Sequence, residues 1–163
     1  SSDEQILSLD TQKEHYESIK DKNGCVIEDG VLIRYYTEDK ELTIPDNVTI
    51  IGSAVIVTEL EDIDKLTIPG SVKRLEKSAF NETPIRHIVM EEGVEEIGEY
   101  AFADSYYKEI HIPESVNDIG EFAFRCSEGN HEGKIYVKKG SYAEEYFSQY
   151  DGDYYGAEVI VEE

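Results

Sequence analysis

Residues Ile110–Phe124 read IHIPESVNDIGEFAF, and the shape of that string occurs three more times. It appears as LTIPDNVTIIGSAV from Leu42, LTIPGSVKRLEKSAF from Leu66 and IVMEEGVEEIGEYAF from Ile88. A catalytic motif needs to occur once, whereas a string repeated at a fixed interval is a unit of architecture. The units begin 24, 22 and 22 residues apart, a spacing within the range of leucine-rich-type solenoids.

The apolar residues of each unit fall in register. Two residues after the start stand Ile44, Ile68, Met90 and Ile112; six after, Val48, Val72, Val94 and Val116; nine after, Ile51, Leu75, Ile97 and Ile119. Gly52, Gly98 and Gly120 follow, with Glu76 as the exception. Three units close on Ala79-Phe80, Ala101-Phe102 and Ala123-Phe124, and the first on Val55-Ile56. Ile63, Ile85 and Tyr107 precede their units by three residues, so each opening alternates as a short strand does. Pro45, Pro69 and Pro113 end three of those strands, because proline cannot donate to a ladder. The VxxIGxxAF half returns along the far side. No unit can bury that face alone, so the expected fold is a leucine-rich-repeat-like solenoid of about four to five rungs, each with a short parallel strand.

Stacked rungs place equivalent residues ~4.8 Å apart, so surface charges are expected to alternate along the stack. Lys73 and Arg74 face Glu95 and Glu96, Asp64 lies between Lys40 and Arg86, Glu41 beside Lys65, and Glu109 beside Lys134. Each such exposed pair is worth ~0.2–1 kcal/mol and serves register more than stability.

Both ends of the stack need covers. Residues 24–41 contain CVIEDGVLIRYY, whose Asp29-Gly30 between apolar runs signals a β-hairpin. Residues 42–126 hold the repeats. Residues 133–163 form the C-terminal cap: a strand at Ile135–Val137, a helix capped by Ser141 with Glu144 completing a capping box, and a closing strand in AEVIVEE. Residues 1–23 are polar, with a weak helical period through Leu9, Tyr16 and Ile19, and read as a cap helix or a linker; 24–163 read as one domain.

Charge narrows the function. Fifteen basic residues against 37 acidic ones give −22, a balance repelled by nucleic-acid phosphates and anionic membrane surfaces. No apolar run approaches the ~18 residues of a membrane span, and no signal-peptide core opens the chain.

The unit L-x-I-P-x-x-V-x-x-I-G-x-x-A-F resembles the BspA-like leucine-rich repeat family, over roughly Val26 to Tyr150. DGVLIRYYTEDKELTIP looks like that family's N-terminal hairpin and IYVKKGSYAEEYF like its closing segment. Glu91 in place of proline, Glu76 in place of glycine and the missing Ala-Phe of the first unit are departures. The resemblance implies a secreted or cell-surface bacterial protein that acts in adhesion or protein binding rather than catalysis. It carries over no fixed site residues.

The chemistry-bearing residues add little to that. There is no GxSxG, P-loop, GxGxxG, HExxH or CxxC, and no cofactor is expected. His87 and His111 lie on adjacent rungs but in different columns, and read as exposed imidazoles rather than a metal site. Cys25 and Cys126 lie about four rungs apart, hence ~19 Å, against the ~7 Å limit of a disulfide; both are expected to be free. Glu91, Glu92, Glu95, Glu96 and Glu99 crowd one rung and read as a solvated face. The DGD at 151–153 is a fragment of a calcium-loop pattern, and Asn47-Val48-Thr49 and Asn81-Glu82-Thr83 are glycosylation sequons.

What remains is the outer face of the strand ladder. One column reads Thr43, Thr67, Val89, His111 and Tyr136; its neighbour reads Glu41, Lys65, His87, Glu109 and Lys134. The first has few charges and grows aromatic toward the C-terminal end. Solenoids bind extended or protein ligands on such faces. Thr43, Thr67, His87, Val89, Glu109, His111 and Tyr136 are therefore the candidate binding residues, with His111 and Tyr136 as anchors and a protein or glycan as partner. The competing reading is that Thr and Val are ordinary strand residues and the module is a spacer.

Overall fold

The computed structural model describes residues 2–128, 131–150 and 153–163, with side chains from Asp10 onward except that of Asp153. A helix α1 (Ser2–Ile19) precedes a hairpin of β1 (Cys25–Glu28) and β2 (Val31–Tyr36). Asp29 and Gly30 both hold positive φ, 50° and 79°, which gives the hairpin the primed turn that their residue types favour. Arg34 lies over the Tyr16 ring and Lys20 over Tyr36, so the end of α1 rests on this hairpin. Leu9, part of the helical period, lies outside the described side chains.

From there the chain alternates between two sheets. The ladder sheet takes β3 (Glu41–Thr43), β6 (Ile63–Ile68), β8 (Ile85–Met90), β10 (Glu109–His111), β12 (Lys134–Lys138) and β14 (Ala157–Glu162). The return sheet takes β4 (Ile50–Ile51), β7 (Arg74–Leu75), β9 (Glu96–Ile97) and β11 (Asp118–Ile119), stacked onto β2; β5 (Ile56–Val57) also pairs with β2. All of these pairings are parallel. Helix α2 (Tyr142–Ser148) and β13 (Asp153–Tyr154), antiparallel to β14, complete the C-terminal end.

Leu42, Leu66, Ile88, Ile110, Ile135 and Val159 form one register column. The ladder therefore has six rungs, not four to five. β14 is the sixth, and it escapes a pattern search because its segment lacks the Val, Ile-Gly and Ala-Phe return half. The exposed edge of β12 recruits it, since unpaired ladder groups need partners.

The closing phenylalanines stack through the interior. Phe80 and Phe102 lie 5.3 Å apart at 12°, and Phe102 and Phe124 5.6 Å apart at 7°. Phe147 from α2 closes the column at 5.8 Å from Phe124. Ser141 caps α2 by accepting the Glu144 amide at 3.1 Å. Gly98 is required by close approach: a Cβ there would meet the backbone of Leu75 and Glu76 at 2.7 Å.

The strands β3, β6 and β10 stop one or two residues before their prolines. Where Glu91 replaces proline, its N–H donates to Ile68 O at 2.9 Å, and β8 still ends at Met90. The adjacent Glu92 carboxylate then accepts the amides of Glu114 and Ser115 at 2.9 and 3.2 Å, tying one turn to the next. One acidic side chain of that crowded rung is thus a structural tie.

The inter-rung charges follow a different pairing from the expected one. Asp62, not Asp64, is the hub: it meets Arg86 at 2.9 Å and Lys40 at 3.0 Å, while Asp64 reaches Arg86 only at 3.9 Å. Those two hydrogen bonds hold the Asp62 carboxyl below the ordinary carboxylate range. Arg74 is opposite Glu96 in register but pairs with Glu76 of its own rung at 3.0 Å. Backbone register sets which residues are neighbours; the length and freedom of each side chain sets which of them meet. Cys25 and Cys126 are free and buried.

Candidate functional site: the ladder face

Parallel pairing builds the face directly from the register. Thr43, Thr67, Val89, His111 and Tyr136 stand side by side on successive rungs, and Ile160 of β14 extends the column. Glu41, Lys65, His87, Glu109, Lys134 and Glu158 form the neighbouring column. All seven candidate residues therefore share one face. Ile160 and Glu158 were not among them, for the same reason that the sixth rung was not.

At the C-terminal end the side chains organise each other. The His111 and Tyr136 rings stack face to face, 4.5 Å apart at 6°. Glu109 sits between two imidazoles: its Oε2 lies 3.7 Å from His87 Nδ1 and 3.6 Å from His111 Nε2. His111 Nδ1 is also 3.9 Å from Glu162, which pairs with Lys138 at 3.3 Å. Glu109 is beside Lys134 in register, as its position predicts, yet it turns to the histidines.

Electrostatically this face is unlike the rest of the molecule. The described charged side chains of its six parallel strands are Lys65, Arg86, Lys134 and Lys138 against Glu41, Asp64, Glu109, Glu158 and Glu162, a difference of one. The chain as a whole carries −22. The return strands β7, β9 and β11 and the turns beside them carry Glu76, Glu95, Glu96, Glu99, Asp118 and Glu121 against Lys73, Arg74 and Lys77. The ladder strands therefore hold little of the chain's negative charge, and a partner approaching them meets less of it than the −22 total implies.

A second cluster was not legible in the sequence. His131 is buried beneath Tyr106 and Tyr107, 4.5 Å edge-on to the latter, and its Nε2 has no hydrogen-bond partner. Burial, reinforced by Lys108, lowers its pKa and keeps it neutral. Tyr107 hydrogen-bonds Phe124 O at 3.2 Å, and Cys126 is buried nearby with its thiol pushed up to about 11. Among the described residues, no group of three or more His, Cys, Asp or Glu could hold a metal ion, and no helix is long and apolar enough to cross a membrane. Asp151 and Gly152 of the DGD fragment lie outside the described residues.

The family described as the BspA type leucine-rich repeat region, in 6 copies, matches residues 34–148. The chain belongs to the BspA-type leucine-rich repeat family. Among solved structures, the crystal structure of the pneumococcal vaccine antigen PcpA is similar, with 23% identity and a TM-score of 0.49. That match covers 72% of this chain and 40% of the antigen chain, so this BspA-type chain spans less than half of that protein. No curated protein matches.

Proposed function

We propose that this protein is a non-catalytic binding module, secreted or displayed on a bacterial surface, that holds a protein or glycan partner against its ladder face. The observation that carries the reading is the near-neutral face of a −22 chain, which carries the stacked His111–Tyr136 pair. Aromatic groups in a pre-ordered stack bind with little further loss of side-chain freedom, the property of interface anchors. Thr43, Thr67 and Val89 offer a flat strip beside them, and His87 and Glu109 a polar margin. The extracellular setting and the adhesive role rest on the BspA-type family membership. In this reading residues 24–163 are the module, and residues 1–23 a cap or linker leaning on its hairpin.

The test is a binding screen against host matrix and mucosal proteins and their glycans, at physiological salt. A variant with Val89, His111 and Tyr136 changed to Asp is run beside the parent chain. Saturable binding abolished in the variant supports the reading. Binding that survives moves the site elsewhere on the module, and absence of binding makes the chain a spacer.

A further inference from the structure

Over its first five rungs the ladder face is ordered by size in one column and by sign in the other. Thr43 and Thr67 stand at the N-terminal end, Val89 on the third rung, and His111 and Tyr136 beyond it. The neighbouring column runs Glu41, Lys65, His87, Glu109 and Lys134. Neither order is imposed by the repeat, whose fixed positions are the inward columns.

The face is also flat. The His111 and Tyr136 rings lie within 6° of parallel, and the interior Phe80, Phe102 and Phe124 rings within 12° and 7° of their neighbours. Rungs that carry parallel rings are related by translation with little twist. A flat sheet face packs against a second sheet face ~10 Å away.

A copy of the same face meets that requirement through one two-fold axis, which runs along the strands over the third rung. Such an axis keeps each column opposite itself and reverses the order of the rungs. Tyr136 then meets Thr43 of the second copy, His111 meets Thr67, and Val89 meets Val89, so large side chains face small ones. Glu41 meets Lys134 and Lys65 meets Glu109, each twice, with the two His87 rings on the axis. No like charges oppose each other in these columns. Other placements fail on sign. Half a rung toward the C-terminal end sets Glu41 against Glu158 and Lys65 against Lys134; a whole rung sets Glu109 against itself. Half a rung the other way sets Glu41 against Glu109, and a whole rung sets Lys65 against itself.

The charges that this two-fold uses are free to pair. Among the described side chains Glu41, Lys65 and Lys134 form no ion pair, although Glu41 and Lys65 are adjacent in register. Glu109 has imidazoles at 3.6 and 3.7 Å. At the margins of the third rung Arg86 and Glu91 face their own copies. Arg86 is already paired with Asp62 at 2.9 Å, which leaves Glu91 as the uncompensated residue.

We propose that the ladder face is a self-association surface, on which a second copy of this chain docks through this two-fold. The proposal rests on the reading of that face as the binding face and names its partner. Five rungs at ~4.8 Å and strands of about six residues at ~3.3 Å bury about 1,000 Å² in total, at the small end of specific interfaces. The dimer is therefore weak and dependent on concentration.

The experiment is sedimentation velocity on the full chain at concentrations rising into the sub-millimolar range. The parent should form a reversible dimer. Val89→Arg, which sets two cations on the axis, should stay monomeric. Lys65→Glu and Glu109→Lys should each weaken the dimer by about tenfold, because each alone sets like charges opposite. Mixed in equal amounts they should form a heterodimer as tight as the parent, since the mixture sets the two new charges opposite each other and the two original ones likewise. Glu91→Gln should tighten the dimer. Unchanged thermal melts establish that the variants are folded. A parent that stays monomeric, a dimer that survives Val89→Arg, or a mixture no tighter than either variant alone would each overturn the proposal. Failure of the binding-module reading looks different. A dimer with these signatures and no captured host protein or glycan keeps the two-fold and removes the external partner; a monomer that captures one removes the two-fold and keeps that reading.

Discussion

Replacing Phe102 by alanine removes the middle ring of the interior stack. Phe102 is fully buried, with Phe80 and Phe124 stacked on its two sides at 5.3 and 5.6 Å. Phe80 has a ring on one stacking side only, because the first unit carries Ile56 in that column. A buried Phe→Ala change costs about 3–5 kcal/mol through lost transfer energy and the cavity left behind. Each stacked pair adds about 0.5–1.5 kcal/mol beyond area burial. Rungs above and below hold the backbone at fixed spacing, so the cavity cannot collapse, and Phe102→Ala belongs at the upper end of that range. Phe80→Ala should cost about 1 kcal/mol less, the value of one missing pair. Domains of this kind have about 5–15 kcal/mol in total, so the Phe102 variant should also lose cooperativity as its two halves uncouple. Urea unfolding followed by circular dichroism and tyrosine emission measures both effects, since the chain has no tryptophan. A loss for Phe102→Ala no greater than that for Phe80→Ala, with a single unbroken transition, would refute the argument that stacking across rungs carries interior stability.

Two further outcomes follow from buried titratable groups. His131 has a folded-state pKa below its ordinary value near 6.5, so the unfolded chain binds its proton more readily. Its contribution to stability is intact above pH 6.5 and declines as pH falls toward and through the folded value. Urea melts at pH 7.5 and 5.5 should therefore show a larger loss in the parent chain than in His131→Gln, the comparison cancelling the carboxylate titrations that both share; equal slopes would remove His131 as the cause. Cys25 and Cys126 have thiols raised to about 11, chiefly by burial, so neither should react with a disulfide reagent in native buffer at pH 8 and both should react in urea; rapid native labelling of either would contradict its burial.

The period of the apolar columns, the hairpin at Asp29-Gly30, the cap at Ser141 and the shared face of Thr43, Thr67, Val89, His111 and Tyr136 are all determined by the sequence. Each depends on alternation or on a fixed interval, and a stack of parallel strands converts interval into neighbourhood. Tertiary structure alone decided that Ala157–Glu162 forms a sixth rung, since an edge recruits a strand through backbone groups that every sequence possesses. It decided that Asp62 rather than Asp64 meets Lys40 and Arg86, and that Glu109 turns to two imidazoles rather than to Lys134, because side-chain rotation is free of the repeat. His131 lies outside the repeated units, where no interval operates, and its burial was therefore not legible. Contacts there come from segments packed together by the end of the solenoid, and only their positions in space bring them into contact.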